Sequence, residues 1–374
     1  MKIRAAVLHE VGAIPPYAHS RPLHIETLEL EPPGEGEVLV KIMAAGLCHS
    51  DLSVIDGTRP RPTPLALGHE AAGIVLETGP GVRNINVGDH AVLVFVPSCG
   101  HCVPCALGRP ALCEPGAAAN AAGTLSMGAR RLSLDGRPIY HHLGVSAFAD
   151  HAVVSRNSVV KIDAGVPFDV AALFGCAVIT GVGAVLNTAQ VRAGSTVAIV
   201  GLGGVGLNAL LGAQLAGART IIAIDVRETK FDLAGQLGAT STFSAALPDC
   251  VTRIRDCTAG GVDYAFEMAG STAALELAWA ITRSGGQTVT AGLPHPDKRM
   301  LLPALQLVGE ERTLRGSYLG SCVPVRDIPA YVSLYRAGRL PVDRLMSQRI
   351  GLAEINGAFD RLANGESIRQ MVVF

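Results

Sequence analysis

The sequence predicts an α/β protein of two domains, one of them built on a doubly wound parallel sheet. The chain has 374 residues, whereas a typical domain has about 100 to 200. Hydrophobic residues make up 49% and charged residues 17%, which is enough apolar side chain for two cores. From about residue 194, short apolar strands alternate with helical stretches, a pattern typical of parallel sheets with crossover helices.

The bulk composition excludes some classes of partner. There are 31 Lys plus Arg and 32 Asp plus Glu, a net charge of -1, so the basic surface of a nucleic-acid-binding protein is missing. The mean hydropathy is +0.35, but we find no uninterrupted apolar run of the roughly 18 residues that a membrane span needs. The N-terminus has charged or polar Arg4, His9 and Glu10 where a signal peptide would be apolar. We therefore expect a cytoplasmic protein with small-molecule partners.

The clearest βαβ unit is GSTVAIVGLGGVGLNALLGAQLAGARTIIAIDV. Thr196 to Val200 is predicted to be a buried strand, and a helix follows to Ala216, ended by Gly217. Between them lies a G-x-G-x-x-G turn, whose glycines permit a tight turn and close approach of the backbone to a pyrophosphate at the helix N-terminus. The turn comprises Gly201, Leu202, Gly203, Gly204, Val205 and Gly206.

Asp225 ends the second strand, about 20 residues after the turn, where a carboxylate can accept hydrogen bonds from the adenosine ribose. It would repel a 2′-phosphate, so NAD is favoured over NADP. Arg227 is a contrary sign, because an arginine there could accept that phosphate; we interpret it as a solvated charge. Further strands are predicted at 263–270, 287–293 and 313–320. A nucleotide-binding domain at residues 179–320 follows, inserted into a second domain made of residues 1–178 and 321–374.

Four of the nine cysteines lie in SCGHCVPCALGRPALC, with the spacing C-x2-C-x2-C-x7-C. Four thiolates complete a tetrahedral zinc and leave no open position, so the cluster predicts a structural metal site. Unliganded thiols on a loop and an iron–sulfur cluster are the alternatives. The cluster consists of Cys99, Cys102, Cys105 and Cys113.

A second ligand set is scattered along the chain as Cys48, His69 and Cys176, with Glu70 next to the histidine. Two cysteines and one histidine are the ligands of a catalytic zinc with an open fourth position. Their spacing alone is weak evidence, since a single cysteine is more often a buried small residue.

With these motifs the chain resembles, nearly end to end, the zinc-dependent medium-chain alcohol dehydrogenases. The resemblance implies a GroES-like, mainly β catalytic domain with both zincs, joined to a Rossmann NAD-binding domain. It implies catalytic zinc ligands at Cys48, His69 and Cys176, an exchangeable carboxylate at Glu70, and structural zinc ligands at the four clustered cysteines. Two zincs and one NAD per chain are therefore expected.

The resemblance also implies roles for other residues. Ser50 is expected to contact the substrate oxygen, and Asp51 to orient His69. The expected cofactor contacts beyond the glycine-rich turn and Asp225 are His49, Thr180, Lys230, Leu293 and Arg369. The expected pocket residues are Phe95, His142 and Leu293.

Three positions depart from well-studied members of the family. His49 stands where an arginine holds the pyrophosphate, and Ser53 stands where a histidine passes the proton to solvent. His142 is polar where relatives are apolar, and we expect it to hydrogen-bond to a loop rather than to substrate.

The expected reaction is reversible oxidation of a primary aliphatic or aromatic alcohol to an aldehyde. A polyol or secondary-alcohol dehydrogenase, or a ketone reductase, is the alternative within the superfamily; a catalytically silent zinc-binding and NAD-binding relative is the alternative outside catalysis. Residues 114–123 contain no arginine for a glutathione carboxylate, which argues against a glutathione-dependent branch. The long segment from Cys113 to Tyr140 resembles the dimeric branch of the family more than the shorter-looped tetrameric branch, and this resemblance implies a homodimer.

Overall fold

A computed structural model describes the whole chain, Met1–Phe374, as two compact units. The first unit comprises Met1–Cys176, Val323–Gly338 and Val342–Phe374. The second comprises Ala177–Cys322 with Arg339–Pro341.

The eighteen strands form three sheets. They are β1 (Lys2–Leu8), β2 (Leu23–Leu30), β3 (Glu37–Gly46), β4 (Leu65–Ala66), β5 (Ala71–Thr78), β6 (His90–Leu93), β7 (Leu132–Leu134), β8 (Arg137–His141), β9 (His151–Ser155), β10 (Val159–Lys161), β11 (Thr196–Val200), β12 (Thr220–Asp225), β13 (Ser241–Ser244), β14 (Val262–Glu267), β15 (Thr282–Thr290), β16 (Thr313–Gly316), β17 (Met346–Ile350) and β18 (Arg369–Val373).

The thirteen α-helices are mostly short. They are α1 (Tyr17–Ser20), α2 (His49–Ile55), α3 (Val103–Ala106), α4 (Glu114–Ala122), α5 (Phe168–Leu173), α6 (Ile179–Gly183), α7 (Gly204–Leu215), α8 (Phe231–Gln236), α9 (Cys250–Cys257), α10 (Thr272–Ile281), α11 (Ala304–Gly309), α12 (Pro324–Arg336) and α13 (Ile355–Ala363).

The first unit is mainly β. A closed barrel has the order β1-β2-β7-β8-β4, and a seven-stranded sheet runs β10-β6-β5-β3-β18-β17 with β9 also on β3. Strand β3 pairs antiparallel with β5, β9 and β18. Apolar side chains such as Ile3, Val7, Leu28 and Ile139 fill the barrel, because alternate residues of a strand face the same side. This unit holds every predicted zinc ligand.

The second unit is a six-stranded parallel sheet of order β13-β12-β11-β14-β15-β16. This is the doubly wound order of dinucleotide-binding folds, and it confirms the predicted fold class. The strand Thr196–Val200 is fully buried, as predicted. Strand β15, which pairs with β14, begins at Thr282, earlier than the predicted 287, because a register shift in this pairing accommodates the extra residues.

One helix, Phe168–Ala189, is long and apolar enough to cross a membrane by length and composition. The sequence shows no uninterrupted apolar run there because Asp169, Thr180 and Asn187 interrupt it. Of its most apolar 18-residue stretch, 89% is buried inside the protein, so it is a core helix. Two π-helical segments interrupt this helix, at Phe174–Val178 and Ala184–Ala189, and Cys176 lies in the first. Such segments often occur at functional sites.

Candidate functional site

Three buried side chains of the first unit converge although they come from three segments. Cys48 is the N-cap of α2 and accepts a hydrogen bond from the Ser50 backbone N–H at 3.5 Å. His69 lies in the loop before β5, and Cys176 lies in the π-helical segment after α5. All three are at most 8% exposed, and their ligand atoms lie within 4.8 Å of one another.

The two ring nitrogens of His69 have different surroundings. Nδ1 lies 3.0 Å from Asp51 Oδ1. Burial acts to raise the pKa of Asp51, but the neighbouring His69, followed by His142, outweighs it and lowers the pKa of this carboxyl below its usual value. Because an ionised carboxylate only accepts hydrogen bonds, Nδ1 carries the proton and donates it. Nε2 is then a buried lone pair without a hydrogen-bond partner, which is what a zinc-binding imidazole requires.

Glu70 and Arg369 form a buried ion pair beside these ligands. Arg369 Nη2 donates to Glu70 Oε2 at 2.5 Å, and Nη1 donates to the Leu47 carbonyl at 3.1 Å. Burial raises the pKa of Glu70 to about 7, although the charge of Arg369 acts in the opposite direction. Glu70 Oε1 is buried without a partner, so a free carboxylate oxygen remains for a cation. Arg369, expected to contact the cofactor, thus also neutralises Glu70.

Two rings enclose His69. The Phe95 ring meets it edge to face, with centroids 5.3 Å apart, and the His142 ring does so at 5.7 Å. His142 was expected to hydrogen-bond to a loop, but its Nε2 lies 3.3 Å from Asp51 Oδ1 on α2. The fully buried Asp51 carboxylate is thus 3.0 Å from His69 Nδ1 and 3.3 Å from His142 Nε2.

The cysteine cluster has the dimensions of a metal site. The ligand atoms of Cys99, Cys102, Cys105 and Cys113 lie within 4.8 Å of one another, and none forms a disulfide. The Cys102 and Cys113 sulfurs are 4.0 Å apart, close to the roughly 3.8 Å that two thiolates on a tetrahedral zinc would have at a Zn–S distance of about 2.3 Å. Four sulfur donors therefore fit a zinc and fill its coordination shell.

The glycine-rich turn of the second unit has room for a phosphate. Gly201 has φ +96°, and a Cβ on it would lie 2.8 Å from the Ala269 backbone N. A Cβ on Gly206 would lie 1.8 Å from the Gly201 carbonyl oxygen, whereas a Cβ on Gly203 would meet nothing within 4 Å. Gly203 is the N-cap of α7 and no side chain caps the helix. The first N–H groups of α7 are thus open to an anion.

Asp225 is held at the end of β12 by three donors. They are the backbone N–H groups of Leu202 at 2.7 Å and Arg227 at 2.9 Å, and Lys230 Nζ at 3.1 Å. A carboxylate has about four acceptor sites, so it retains one for a ribose hydroxyl. Lys230 and Asp225 were both expected near the ribose, and in the structure they form an ion pair with each other.

The remaining predicted residues are distributed over both units. His49 and Ser50 open α2 in the first unit; His49 is exposed and Ser50 half-buried. Thr180 is buried on α6 in the second unit, and Leu293 follows β15 with 48% of its surface exposed.

Sequence reasoning missed Arg59 and Arg61. Arg59 donates to Ser53 Oγ from Nε at 3.0 Å and from Nη2 at 2.7 Å. Arg61 Nη1 donates to the Asn120 carbonyl oxygen at 3.2 Å. The signal was the alternation of arginine and proline in TRPRPTP, residues 58–64, which ends five residues before His69.

Comparison with known proteins agrees with this architecture. Residues 34–164 match the alcohol dehydrogenase GroES-like domain, and residues 204–337 match the zinc-binding dehydrogenase domain. The NDMA-dependent alcohol dehydrogenase of Amycolatopsis methanolica is 38% identical, with 100% of this chain and 99% of that protein covered.

Two solved structures cover 100% of this chain and are covered to 99% themselves. An alcohol dehydrogenase zinc-binding domain protein from Burkholderia ambifaria has a TM-score of 0.94 at 36% identity. The benzyl alcohol dehydrogenase of Acinetobacter calcoaceticus has a TM-score of 0.93 at 34% identity.

Fold, site and relatives together define an oxidoreductase of the zinc-binding dehydrogenase type. The chain belongs to the zinc-dependent alcohol dehydrogenases of the medium-chain family.

Proposed function

We propose that this protein is an NAD-dependent alcohol dehydrogenase with two zincs per chain, which oxidises primary alcohols, aliphatic or aromatic, to aldehydes. The observation that supports it most is the buried set Cys48, His69 and Cys176, with an unpaired imidazole nitrogen among two thiols. The cysteine cluster Cys99 to Cys113 would hold the second zinc. When bound, the catalytic zinc supplies a Lewis acid and the nicotinamide supplies a two-electron hydride acceptor.

The residues of this chain would orient the reactants and move the proton. Asp51 holds His69 in the tautomer that presents Nε2. Ser50, half-buried in the first turn of α2, would take the alcohol proton. Phe95 and His142 shield the His69 ring from water, and exclusion of water strengthens each electrostatic contact. Arg369 offsets the charge of Glu70 beside the two thiols.

The proton route beyond Ser50 involves Ser53, which stands where well-studied members of the family have a histidine. Ser53 Oγ donates to the Ser50 carbonyl at 2.9 Å and accepts twice from Arg59. Its hydroxyl is therefore already engaged in hydrogen bonds with Ser50 and Arg59. We propose that the proton leaves by way of the cofactor ribose and water, or by way of exposed His49.

The choice of NAD is supported by Asp225, whose carboxylate would repel a 2′-phosphate and keeps an acceptor site for the ribose. The Arg227 side chain is exposed, consistent with a solvated charge. The name of the Amycolatopsis relative states dependence on NDMA, so the acceptor that reoxidises the cofactor has to be measured. We also propose that the protein is a homodimer and that it is cytoplasmic.

The substrate class is supported by the apolar Phe95 ring, which is buried against His69, and by the similarity to benzyl alcohol dehydrogenase. The test is turnover of benzyl alcohol, a linear primary alcohol, a secondary alcohol and sorbitol, each with NAD, NADP or NDMA. We expect benzyl alcohol to be oxidised with a higher kcat/KM than sorbitol, and NAD to be preferred over NADP. The Cys48→Ala variant should fold but lose turnover. A sorbitol preference would indicate a polyol dehydrogenase, and a folded, fully metallated protein without turnover would indicate a silent relative.

A further inference from the structure

The loop after α2 contains two arginines directed into the fold. In Arg59-Pro60-Arg61-Pro62, both arginines are half-buried and both prolines are exposed. Each proline ring restricts the backbone φ of its own residue, which limits the freedom of this segment. The loop therefore presents two guanidinium groups with little backbone entropy to lose on binding a ligand.

Arg59 lies beside helix α2 and has no carboxylate partner. Its side-chain partner is the Ser53 hydroxyl, and its backbone N–H donates to the Ser53 carbonyl at 2.7 Å. Both partners are neutral, and Arg59 forms no ion pair with a carboxylate. Ser53 is one turn of α2 from Ser50, about 5 Å along the axis. A positive charge thus lies close to the residue proposed to take the alcohol proton.

Arg61 reaches the same site by a different path. Its guanidinium donates to the carbonyl of Asn120, and the Asn120 side-chain amide donates to the carbonyl of Phe95 at 2.8 Å. The Phe95 ring is the one packed on His69. Arg61 is thus linked through Asn120 to the ring that packs on His69.

A purely structural role explains only part of this arrangement. A cation near the C-terminal end of α2 interacts favourably with the helix dipole, which suits Arg59. The same interaction applies to Arg61, which donates to a carbonyl in the last turn of α4, but it does not explain why both arginines come from one short loop. Two guanidiniums near one site match a carboxylate or phosphate in charge and in hydrogen-bonding geometry.

We propose that Arg59 and Arg61 form an anion subsite beside the candidate zinc site, and that the preferred alcohol of this enzyme carries an anionic oxygen group. This proposal rests on the proposed alcohol dehydrogenase function and specifies its substrate class. The apolar Phe95 ring would contact the body of such a substrate, and the arginines would bind its charged end.

The test compares matched substrates. Benzyl alcohol is neutral, 4-(hydroxymethyl)benzoate has a carboxylate, and 4-(hydroxymethyl)phenyl phosphate has a phosphate. We expect kcat/KM of the wild type to be at least about tenfold higher for one of the anionic alcohols than for benzyl alcohol, a ratio equivalent to about 1.4 kcal/mol. Comparison of the two anionic substrates shows which group the subsite takes.

Substitutions test whether the preference for anionic alcohols comes from the two arginines. Arg59→Met and Arg61→Met should each lower the anionic-to-neutral ratio by on the order of tenfold, whereas Arg59→Lys should keep part of it. Arg59→Glu should shift the preference toward 4-(aminomethyl)benzyl alcohol. Arg137→Met, at an exposed arginine of the same unit on β8, is the control and should leave the ratio unchanged. Calorimetric binding of benzoate against benzamide gives a second readout that needs no turnover.

Three outcomes would overturn the proposal. One is a wild-type ratio near one with good turnover of benzyl alcohol, which leaves the alcohol dehydrogenase function intact. Another is an unchanged ratio in folded Met variants. The third is equal loss for all substrates together with weaker NADH binding, which would assign the arginines to the cofactor. Failure of every alcohol with every acceptor would instead refute the proposed function itself.

Discussion

The Asp51 carboxylate determines which nitrogen of His69 is available to a ligand. It accepts from Nδ1 at 3.0 Å and also lies 3.3 Å from His142 Nε2. An amide in its place could present N–H groups to both rings and would no longer demand a proton on Nδ1. The orientation of the proposed zinc ligand therefore depends on a residue that does not touch the metal.

Asp51→Asn should weaken the catalytic zinc by roughly 10- to 100-fold, the usual cost of losing a partner that orients a ligand histidine. The measurement is the rate of zinc loss to a chelator, followed with a colorimetric indicator alongside kcat. Asp56→Asn, at an exposed position after the same helix, is the control. Unchanged zinc loss in Asp51→Asn would show that packing alone orients His69.

His141 makes the stability of the fold depend on pH. Its side chain is buried, and burial, followed by the charges of Arg130 and Arg131, lowers its pKa to about 3. Its Nε2 accepts from the Arg131 backbone N–H at 3.1 Å. The unfolded chain protonates this histidine near pH 6.5, so between pH 6.5 and 3 the unfolded state binds more protons. The stabilisation is present above pH 6.5 and is lost as the pH falls, by up to about 1.4 kcal/mol per pH unit.

His141→Gln should flatten this dependence, because glutamine can accept the Arg131 hydrogen bond without titrating. The measurement is the free energy of unfolding in urea at pH 7.5 and pH 5.5. We expect the wild type to lose more stability between the two than the variant does. Exposed His19→Gln should behave like the wild type, and equal losses in all three proteins would contradict the assignment.

At the scale of elements, the loop from Cys99 to Cys113 has little apolar packing of its own. Helix α3 has no buried residue, and Cys113 is the N-cap of α4, where its sulfur accepts from the Gly116 N–H at 3.4 Å. Shared sulfur contacts therefore replace a hydrophobic core here. A metal bound by the four thiolates would stabilise the loop directly.

Cys102→Ala should lower the Tm by several degrees, since about 1 kcal/mol shifts Tm by about 2–4 °C in a domain of this size. It should also remove about one zinc per chain, with activity falling only as the protein unfolds. Cys257→Ala, at an exposed cysteine of the other unit, serves as the control. A variant that lost kcat at full stability would place chemistry at this loop after all.

Two glycines of the β11–α7 turn offer a matched test of cofactor binding. Gly203→Ala has room for its Cβ, so the fold should keep its Tm while the methyl group obstructs the approach of a pyrophosphate. Gly206→Ala places a Cβ 1.8 Å from the Gly201 carbonyl and should lower the Tm as well. NADH titration by fluorescence and thermal melts separate the two. Gly235→Ala, with open space around it, is the control; unchanged NADH affinity in Gly203→Ala would move the phosphate site elsewhere.

At the scale of the whole molecule, the two proposed zincs differ in accessibility to ligands. The set Cys48, His69 and Cys176 leaves an open coordination position, whereas four thiolates close theirs. Mild chelation should therefore remove one zinc per chain and abolish activity, with little change in Tm, and zinc alone should restore turnover. Metal analysis after each step provides the count. Loss of both zincs together, or activity without the labile one, would contradict this division.

Local motifs could be predicted from sequence because their residues are neighbours along the chain. The Thr196–Val200 strand, the glycine-rich turn and the helix ended by Gly217 form one continuous segment whose hydrogen bonds are local. The four clustered cysteines likewise need only one loop to bring them together. Cys48, His69 and Cys176 were recognised by resemblance, since their separation along the chain gives no such signal.

The sequence by itself determined the class of fold, the nucleotide-binding turn and the cysteine cluster, because periodicity and short spacing encode them. Only the tertiary structure decided that Arg369 pairs with Glu70, 299 residues away, that His142 turns toward Asp51, and that Arg59 and Arg61 lie beside the candidate site. These contacts depend on how β3, β5 and β18 pair and how loops pack against them. The physical reason is that burial and charge compensation are properties of neighbours in space: the Arg-Pro alternation marks an unusual loop, but it does not tell which residues the arginines contact.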